Sequence, residues 1–469
     1  MILDLDLTLK DETLEPFWSE RSTELHKSLW LPHQTVSLEQ DSVSSNVSSN
    51  YQVDESKFWK KTLIPKNLTP QTLLVSSQAL STLTTVKEQQ KEEKIVVTRK
   101  IRIFPENENK YFQALHTYRL AYNMAVKYLN EGKEINGLRE TIKQEIKDLY
   151  ENDTHNESVY DVNLIYEAVR KCSNNFLAQL KKFKKTNKPF KFSFMSWKHS
   201  PKYFICLKLG EKGKIYPRQL GNVYYTEDIP EEAIGRNTII SYDNGEWYAC
   251  TQKIITKRNI DLFTNKSIIA LDPGVRTFIT AFNDGQVNIY GEDFVKDKLL
   301  PLSIKLSSLQ SKRDKISNLP DSYYKESNLR YYNKQLSKIR NRLKHLITDL
   351  HKRVAYDLVM SNDIILLPTF ETSKMVMKKD SKRQLRRSTI RSLLNLNHYK
   401  FKLYIKYLAN KYGKIVLDVN ESYTSKTFEG KIFNIGSKKQ FKSIDRIIDR
   451  DINGARNILL RFISKHQVY

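Results

Sequence analysis

The 469-residue sequence predicts a multidomain α/β (α+β) protein, on three observations. Residues 261–469 alternate short apolar strands with helical periodicity. Residues 96–260 read as strands and turns interrupted by helix. Residues 1–95 read as an extension that contains a polar, low-complexity stretch.

The extension carries the aromatic anchors Phe17-Trp18, Leu29 to Pro32 and Phe58-Trp59, separated by the Ser- and Asn-rich stretch Asp41 to Asn50. Such a stretch cannot bury a core. It is expected to be a partly disordered linker, with the aromatic pieces docking on the body. Its first ten residues hold Asp4 and Asp6 and lack a basic start, so no signal peptide is expected.

The pattern shifts at Val96. Val96 to Phe104 alternates as a strand and stops at Pro105. Phe112, Leu115, Tyr118, Tyr122, Val126 and Leu129 recur at helical spacing over 107–131, and more helix is predicted over 142–150 and 159–183. Strands and turns resume at Phe192. Asn237 to Ser241 and Trp247 to Thr251 flank Asp243-Asn244-Gly245, a hairpin signature. Residues 96–260 are thus a small β-domain with a helical insertion at about 106–190.

The C-terminal part opens on the apolar strand Ser267 to Asp272, turned by Pro273-Gly274. Val275 to Phe282 and Val287 to Tyr290 follow as strands around Asn283-Asp284-Gly285. Next come helices at 304–316 and 323–361, a buried strand Ile364 to Leu367, a helix Ser388 to Tyr412 and a buried strand Ile415 to Val419. The last element, Ile452 to Ile463, puts Ile452, Ala455, Leu459 and Phe462 on one helical face. The order βββ-α-β-α-β-α describes an RNase H-like domain at 261–469, an alternation shared with other α/β folds.

Charge bounds the function. Lys and Arg number 78 against 53 acids, a net of +25. The first 95 residues hold 10 basic and 14 acidic side chains, so the remainder carries 68 against 39. An excess of that size points to a polyanionic partner, although a solubility role or ribosome-like RNA packing fits it too. The run Lys181, Lys182, Lys184, Lys185 with Phe183 and Phe190 can meet a nucleic-acid backbone; a solvated loop or a nuclear-import signal fits equally. Arg386, Arg387 and Arg391 are further backbone candidates, or a solvated helix face. No apolar run reaches membrane-spanning length, so no membrane partner is expected. Cys172, Cys206 and Cys250 form no CxxC pair.

Phosphodiester hydrolysis needs an activated water and neutralisation of the leaving oxygen, which two Mg²⁺ ions roughly 3.5–4 Å apart supply. Their oxygen ligands must converge from distant sequence onto rigid strand ends. Asp272 ends the first strand, where a carboxylate is costly unless it binds something; a turn former before Pro-Gly is the plain alternative. Asp449 and Asp451 open the last helix, where one of them can serve only as an N-cap. Gly454 and Ala455 are small enough to let that helix approach the sheet. For the third acid, Glu371 follows the strand ending at Leu367 and Glu421 follows the neighbouring strand ending at Val419. Either can reach the same metal, since neighbouring strands lie about 4.8 Å apart.

At these residues the sequence resembles the TnpB/Fanzor family of transposon-associated, RNA-guided DNA nucleases, relatives of type V CRISPR effectors. The match runs from about Val96 to the C-terminus. It is carried by Leu271-Asp272-Pro273-Gly274-Val275-Arg276, by Tyr423-Thr424-Ser425-Lys426-Thr427, and by the run Asp449 to Ile458. Leu367 to Thr372 and the aromatic extension are similar to the Fanzor branch of eukaryotes and viruses. The resemblance implies a RuvC-type nuclease domain, a β-barrel-like wedge lobe at 96–260, and catalytic, Mg²⁺-binding acids at Asp272 and Asp451, with Mn²⁺ as a substitute ion. In TnpB-like members the middle Glu falls where Pro368 stands here. Fanzor-like members are similar in placing it before Tyr-Thr-Ser-Lys, which carries over to Glu421 in preference to Glu371. The implied partners are a guide RNA from the transposon end and double-stranded target DNA, inside the cell and in the nucleus of a eukaryotic host.

One departure is large. Family members carry a zinc ribbon of two CxxC pairs before the final Asp, and here no cysteine follows Cys250. Segment 428–448 is therefore a degenerate ribbon that binds no zinc, with Phe428, Ile432, Phe433 and Phe441 as an apolar substitute. Elemental analysis of the purified chain is expected to find no stoichiometric zinc; one zinc per chain would overturn this.

Overall fold

The structure is a computed structural model that describes residues 51–57, 59–65, 74–75, 94–151, 161–187, 190, 192–196, 202–258, 266–283, 286–377, 385–419, 427–428, 431–432, 440–442 and 447–466. Two units condense from the chain. One is built on Ile95–Ile255, the other on Thr256–Tyr469 together with the strands of Leu31–Lys94. Those strands are β1 (Tyr51–Lys57), β2 (Lys60–Pro65) and β3 (Leu74–Val75).

The first unit holds β4 (Lys94–Pro105), β5 (Lys202–Cys206), β6 (Val223–Tyr225), β7 (Thr238–Asp243) and β8 (Glu246–Thr256), in the sheet order β5-β7-β8-β4-β6. Among the described residues that path is open, and the barrel-like closure implied by the resemblance is not seen in them. The β7–β8 hairpin turns on Asn244 and Gly245, both left-handed (φ 51° and 91°) and flanked by the Asp243–Glu246 pair. This is the geometry an Asn-Gly turn prefers, because its twist matches that of the strands. Between β4 and β5 stand α1 (Glu108–Asn130), α2 (Leu138–Glu151) and α3 (Val162–Thr186). The side chains of Asn107 and Asp161 accept from the backbone N–H of Lys110 (3.2 Å) and Leu164 (2.9 Å), capping α1 and α3. Trp247 ties sheet to helix: its ring meets Tyr111 and Phe112 edge-on, and its Nε1–H donates to Glu108 at 2.9 Å.

The second unit runs β9 (Lys266–Pro273), β10 (Ile279–Asn283), β11 (Gln286–Tyr290), α4 (Leu300–Ser317), α5 (Tyr323–Ser361), β12 (Ile364–Pro368), α6 (Arg387–Leu396), α7 (His398–Lys411), β13 (Ile415–Val419) and, last, α8 (Arg450–His466). This is the order expected of an RNase H-like domain. Its sheet reads β1-β2-β11-β10-β9-β12-β13, with β9 antiparallel to β10 and parallel to β12, and β12 parallel to β13. Before α8, in the cysteine-free segment, β14 (Thr427–Phe428) pairs with β15 (Lys431–Ile432) and β16 (Gln440–Lys442) with β17 (Ile447–Asp449).

Three expectations need correction. The second strand begins at Ile279, not Val275, because 274–278 fold back as a loop in which Gly274 N–H donates to the Phe278 carbonyl (3.1 Å). The helix expected over Ser388 to Tyr412 is two helices, broken where Asn397 turns left-handed (φ 48°), a conformation Asn tolerates better than most residues. The extension is partly structural: the β1–β2 hairpin adds to β11 and β3 pairs with β9. Alone, β11 would present an unpaired edge. Phe17-Trp18, Leu29 to Pro32, Asp41 to Asn50 and Phe58 lie outside the described residues.

The strand addition is fastened by side chains. Trp59 stacks on Tyr290 (centroids 6.1 Å apart), Lys60 Nζ pairs with Asp357 (2.9 Å), and the Tyr290 hydroxyl donates to the same carboxylate (2.7 Å). Burial, reinforced by the Asp357 charge, raises the Tyr290 phenol well above its ordinary range, so it remains a donor. At the other end of the sheet, Asp363 accepts from Ser267 N–H and Oγ and from Lys414 Nζ (2.7 Å), joining the starts of β9, β12 and β13. Burial works against that ionised carboxyl, yet these donors hold its pKa below the usual value. Above the sheet, Ile458, Leu459 and Phe462 of α8 pack on Ile268, Ala270, Ile364 and Leu366.

Asp357→Ala is expected to destabilise the second unit by about 1–3 kcal/mol in urea unfolding, since it strands a buried hydroxyl and a half-buried ammonium. An unchanged midpoint would show that the hairpin is held otherwise.

Candidate active site

The C-terminal ends of the central strands carry the acids the sequence singled out. Asp272 lies one residue before the end of β9, half-buried, paired across the sheet with Thr280 of β10. The β9–β12 register runs through Ala270 and Leu366. Continued by two residues, it brings Pro368 level with Asp272. Proline there supplies neither a donor nor a carboxylate.

Asp451 sits in the first turn of α8, where a negative charge favours the helix dipole. It is not the cap. Asp449 Oδ1 accepts from the N–H groups of Asp451 (2.8 Å) and Ile452 (3.4 Å), which releases the Asp451 carboxylate from that duty. Burial raises the pKa of the Asp449 carboxyl and the neighbouring Asp451 charge adds to the rise, while the two capping N–H groups oppose it.

Gly454, three residues after Asp451, is where α8 meets Asp272. A Cβ at 454 would stand 3.1 Å from Asp272 Cγ and closer still to Oδ2. The first turn of α8 therefore rests against the Asp272 carboxylate at a spacing only glycine permits. Ile452 and Ala455, both buried, anchor the same turn, with Ile452 against Leu63 and Val287.

A loop running 274–278 faces this turn. Arg276 Nη2 reaches Asp451 Oδ2 at 3.2 Å. The loop is held at several points. Besides the Gly274–Phe278 bond, His398 Nε2 bonds the Gly274 carbonyl (3.0 Å) and Asp293 N–H donates to the Arg276 carbonyl (3.0 Å). A Cβ on Gly274 would stand 2.7 Å from the Thr277 carbonyl, so the bend requires glycine. Beneath it, Phe278 lies flat between His351 and His398, with centroids 5.2 and 5.1 Å away. Burial lowers the pKa of both imidazoles, to about 3 for His351 and about 4 for His398, so both are neutral and pack as flat polar rings.

Glu371 is exposed, beyond the end of β12 and at the start of the short helix Thr372–Val376. Glu421 and the Tyr423 to Lys426 motif lie outside the described residues; β13, which leads to them, ends at Val419 beside Pro368. The described residues thus supply two of the three predicted acids, and among them no group of three or more metal-ligating side chains is assembled. In donor type Asp272 and Asp451 suit a hard divalent cation: they are carboxylates on separate elements, a strand end and the first turn of the helix that packs against it at Gly454. Lys181, Lys182, Lys184 and Lys185 are exposed on the last turns of α3, where cations complement the helix dipole. Arg386, Arg387 and Arg391 are exposed at the start of α6, which has no acid in its first turn. Cations at a helix N-terminus are unfavourable unless an anion joins them.

Residues 398–458 match the family model Cas12f1-like, TNB domain, which covers α7 through the first half of α8. A transposase-designated protein of Paramecium bursaria Chlorella virus 1 is 28% identical over 398 residues, spanning 79% of this chain and 88% of its own length. A TnpB-like protein of Acanthamoeba polyphaga mimivirus is 23% identical over 395 residues, spanning 78% and 73%. The chain is thus similar, over nearly four fifths of its length, to viral proteins described as transposase and TnpB-like. The solved Cas12f1–sgRNA–target DNA complex aligns with 75% of this chain and 82% of its own, at 14% identity and a TM-score of 0.42.

Sequence reasoning missed the Arg276–Asp451 pair and the histidines under the loop. Arg276 stands four residues after Asp272 in the motif, a signal that was available; His351 and His398 are far apart in sequence and meet only through the fold. Because both imidazoles are lowered from 6.5, the unfolded chain takes up their protons first. Their stabilisation is complete above about pH 6.5 and falls as the pH drops toward 4, on the order of 3 kcal/mol per ring. Urea unfolding between pH 7 and pH 4 is expected to show this slope, and His398→Gln to flatten it; an equal slope in the variant would contradict the assignment.

Proposed function

We propose that this chain is an RNA-guided, divalent-metal-dependent DNA endonuclease of a transposable element, with Asp272, Glu421 and Asp451 as its metal-binding acids. The approach of Asp272 to the first turn of α8 across Gly454 is the observation that carries the reading. A bound pair of Mg²⁺ ions would supply an ionised water and neutralise the leaving oxygen of a phosphodiester. The chain's own contribution is placement. Asp272 is fixed on the central strand. Asp451 is freed by the Asp449 cap to present its oxygens. Glu421 follows in sequence two residues after Val419, the residue paired with Pro368, and is proposed to supply the carboxylate that β12 lacks.

Substrate binding falls to the exposed cations. The arginines that open α6 and the lysines that close α3 are suited to phosphate oxygens of RNA or DNA, giving affinity that falls steeply with salt. The likeness to viral proteins described as TnpB-like supports guidance by an RNA from the element's end. The plain absence of an acid at Pro368 supports a second reading, a guided DNA-binding protein that no longer cuts.

The test is to co-express the chain with its flanking RNA and supply matched plasmid and Mg²⁺. Cleavage is expected, reduced about 10²–10³-fold by Asp272→Ala, Asp451→Ala or Glu421→Gln and retained in Glu371→Gln. Binding without cleavage would establish the second reading. Loss in Glu371→Gln with retention in Glu421→Gln would move the third acid. Cutting without any RNA would point to an unguided RNase H-like transposase.

A further inference from the structure

We propose that Arg276 is a displaceable counter-ion of the acidic site, competing with the divalent cation for Asp451. The inference rests on the metal-binding reading above. Asp449 and Asp451 stand at the start of α8, with Asp272 against Gly454 one turn on, and Arg276 brings a cation to Asp451 through one contact, Nη2 to Oδ2 at 3.2 Å. An arginine seated to stay would bind a carboxylate through both arms of its fork. Here the side chains remain 38% (Arg276) and 28% (Asp451) exposed, so water is at hand to solvate the guanidinium once it leaves.

The loop backbone cannot swing with it. Its Gly274 carbonyl is held by His398, its Gly274 N–H by Phe278 and its Arg276 carbonyl by Asp293 N–H. Displacement is therefore a side-chain rotation over a fixed backbone. A monodentate, partly exposed pair is weak, so it tunes metal affinity without blocking it. In the metal-free chain it offsets repulsion among the carboxyls; with metal bound, that task passes to the ion.

The experiment is a Mn²⁺ titration of the full-length chain at low ionic strength without nucleic acid, read by calorimetry and by the Mn²⁺ resonance signal. Arg276→Gln is expected to bind Mn²⁺ about fivefold more tightly than the unaltered chain, the size of one partly exposed ion pair. Arg276→Lys, which keeps the charge, is expected to stay within about twofold, and Asp451→Asn to bind most weakly. Unchanged or weaker binding in Arg276→Gln, with binding still lost in Asp451→Asn, would overturn the proposal and make Arg276 a positioning residue. Absence of Mn²⁺ binding even to the unaltered chain would overturn the metal-binding reading, and this inference with it. Thermal melting of the metal-free variants separates misfolding from lost competition.

Discussion

A missing side chain organises this site. At Gly454 the last helix comes so near the central strand that the space for a Cβ is taken by the Asp272 carboxylate. That approach sets where α8 crosses the sheet, which face of the helix meets Ile268 and Leu366, and where Asp451, three residues earlier, must stand. A helical glycine costs about 1 kcal/mol against alanine. Here the cost is offset by the packing of Ile452, Ala455, Ile458, Leu459 and Phe462, all buried.

The rest of the second unit holds that arrangement from both ends. Asp363 ties the starts of β9, β12 and β13, so their far ends, near the acids, are held in register. Under the site, neutral His351 and His398 close on Phe278, and His398 fixes the loop that carries Arg276. On the outer edge the β1–β2 hairpin covers β11 and contributes Leu63 to the cluster that seats Ile452. An extension that reads as linker thus supplies part of the wall behind the first turn of α8.

What could be read from sequence followed local rules. Asp-Asn-Gly marked the β7–β8 hairpin because only a few residues accept its left-handed turn. The 3.6-residue spacing of Ile452, Ala455, Leu459 and Phe462 marked the buried face of α8, and Gly454 beside Ala455 marked its close approach. What escaped was nonlocal or subtle. The break at Asn397 is one backbone dihedral inside an otherwise helical pattern. Strands β1 and β2 are short, and what they gain depends on an edge more than two hundred residues away. The duty of Asp449 could not be separated from that of Asp451, since both satisfy the same capping rule; the hydrogen bonds to their backbone decide it.

The central claim is that the Asp272 carboxylate and the first turn of α8 form one cation site whose spacing Gly454 sets. Measuring Mn²⁺ affinity and urea stability of Gly454→Ala together tests it most directly. The account predicts a folded chain that forgoes the ~1 kcal/mol gain usual for this change in a helix and has lost Mn²⁺ affinity, because the new methyl turns Asp272 away. A Gly454→Ala chain that gains stability and binds Mn²⁺ as the unaltered chain does would contradict it.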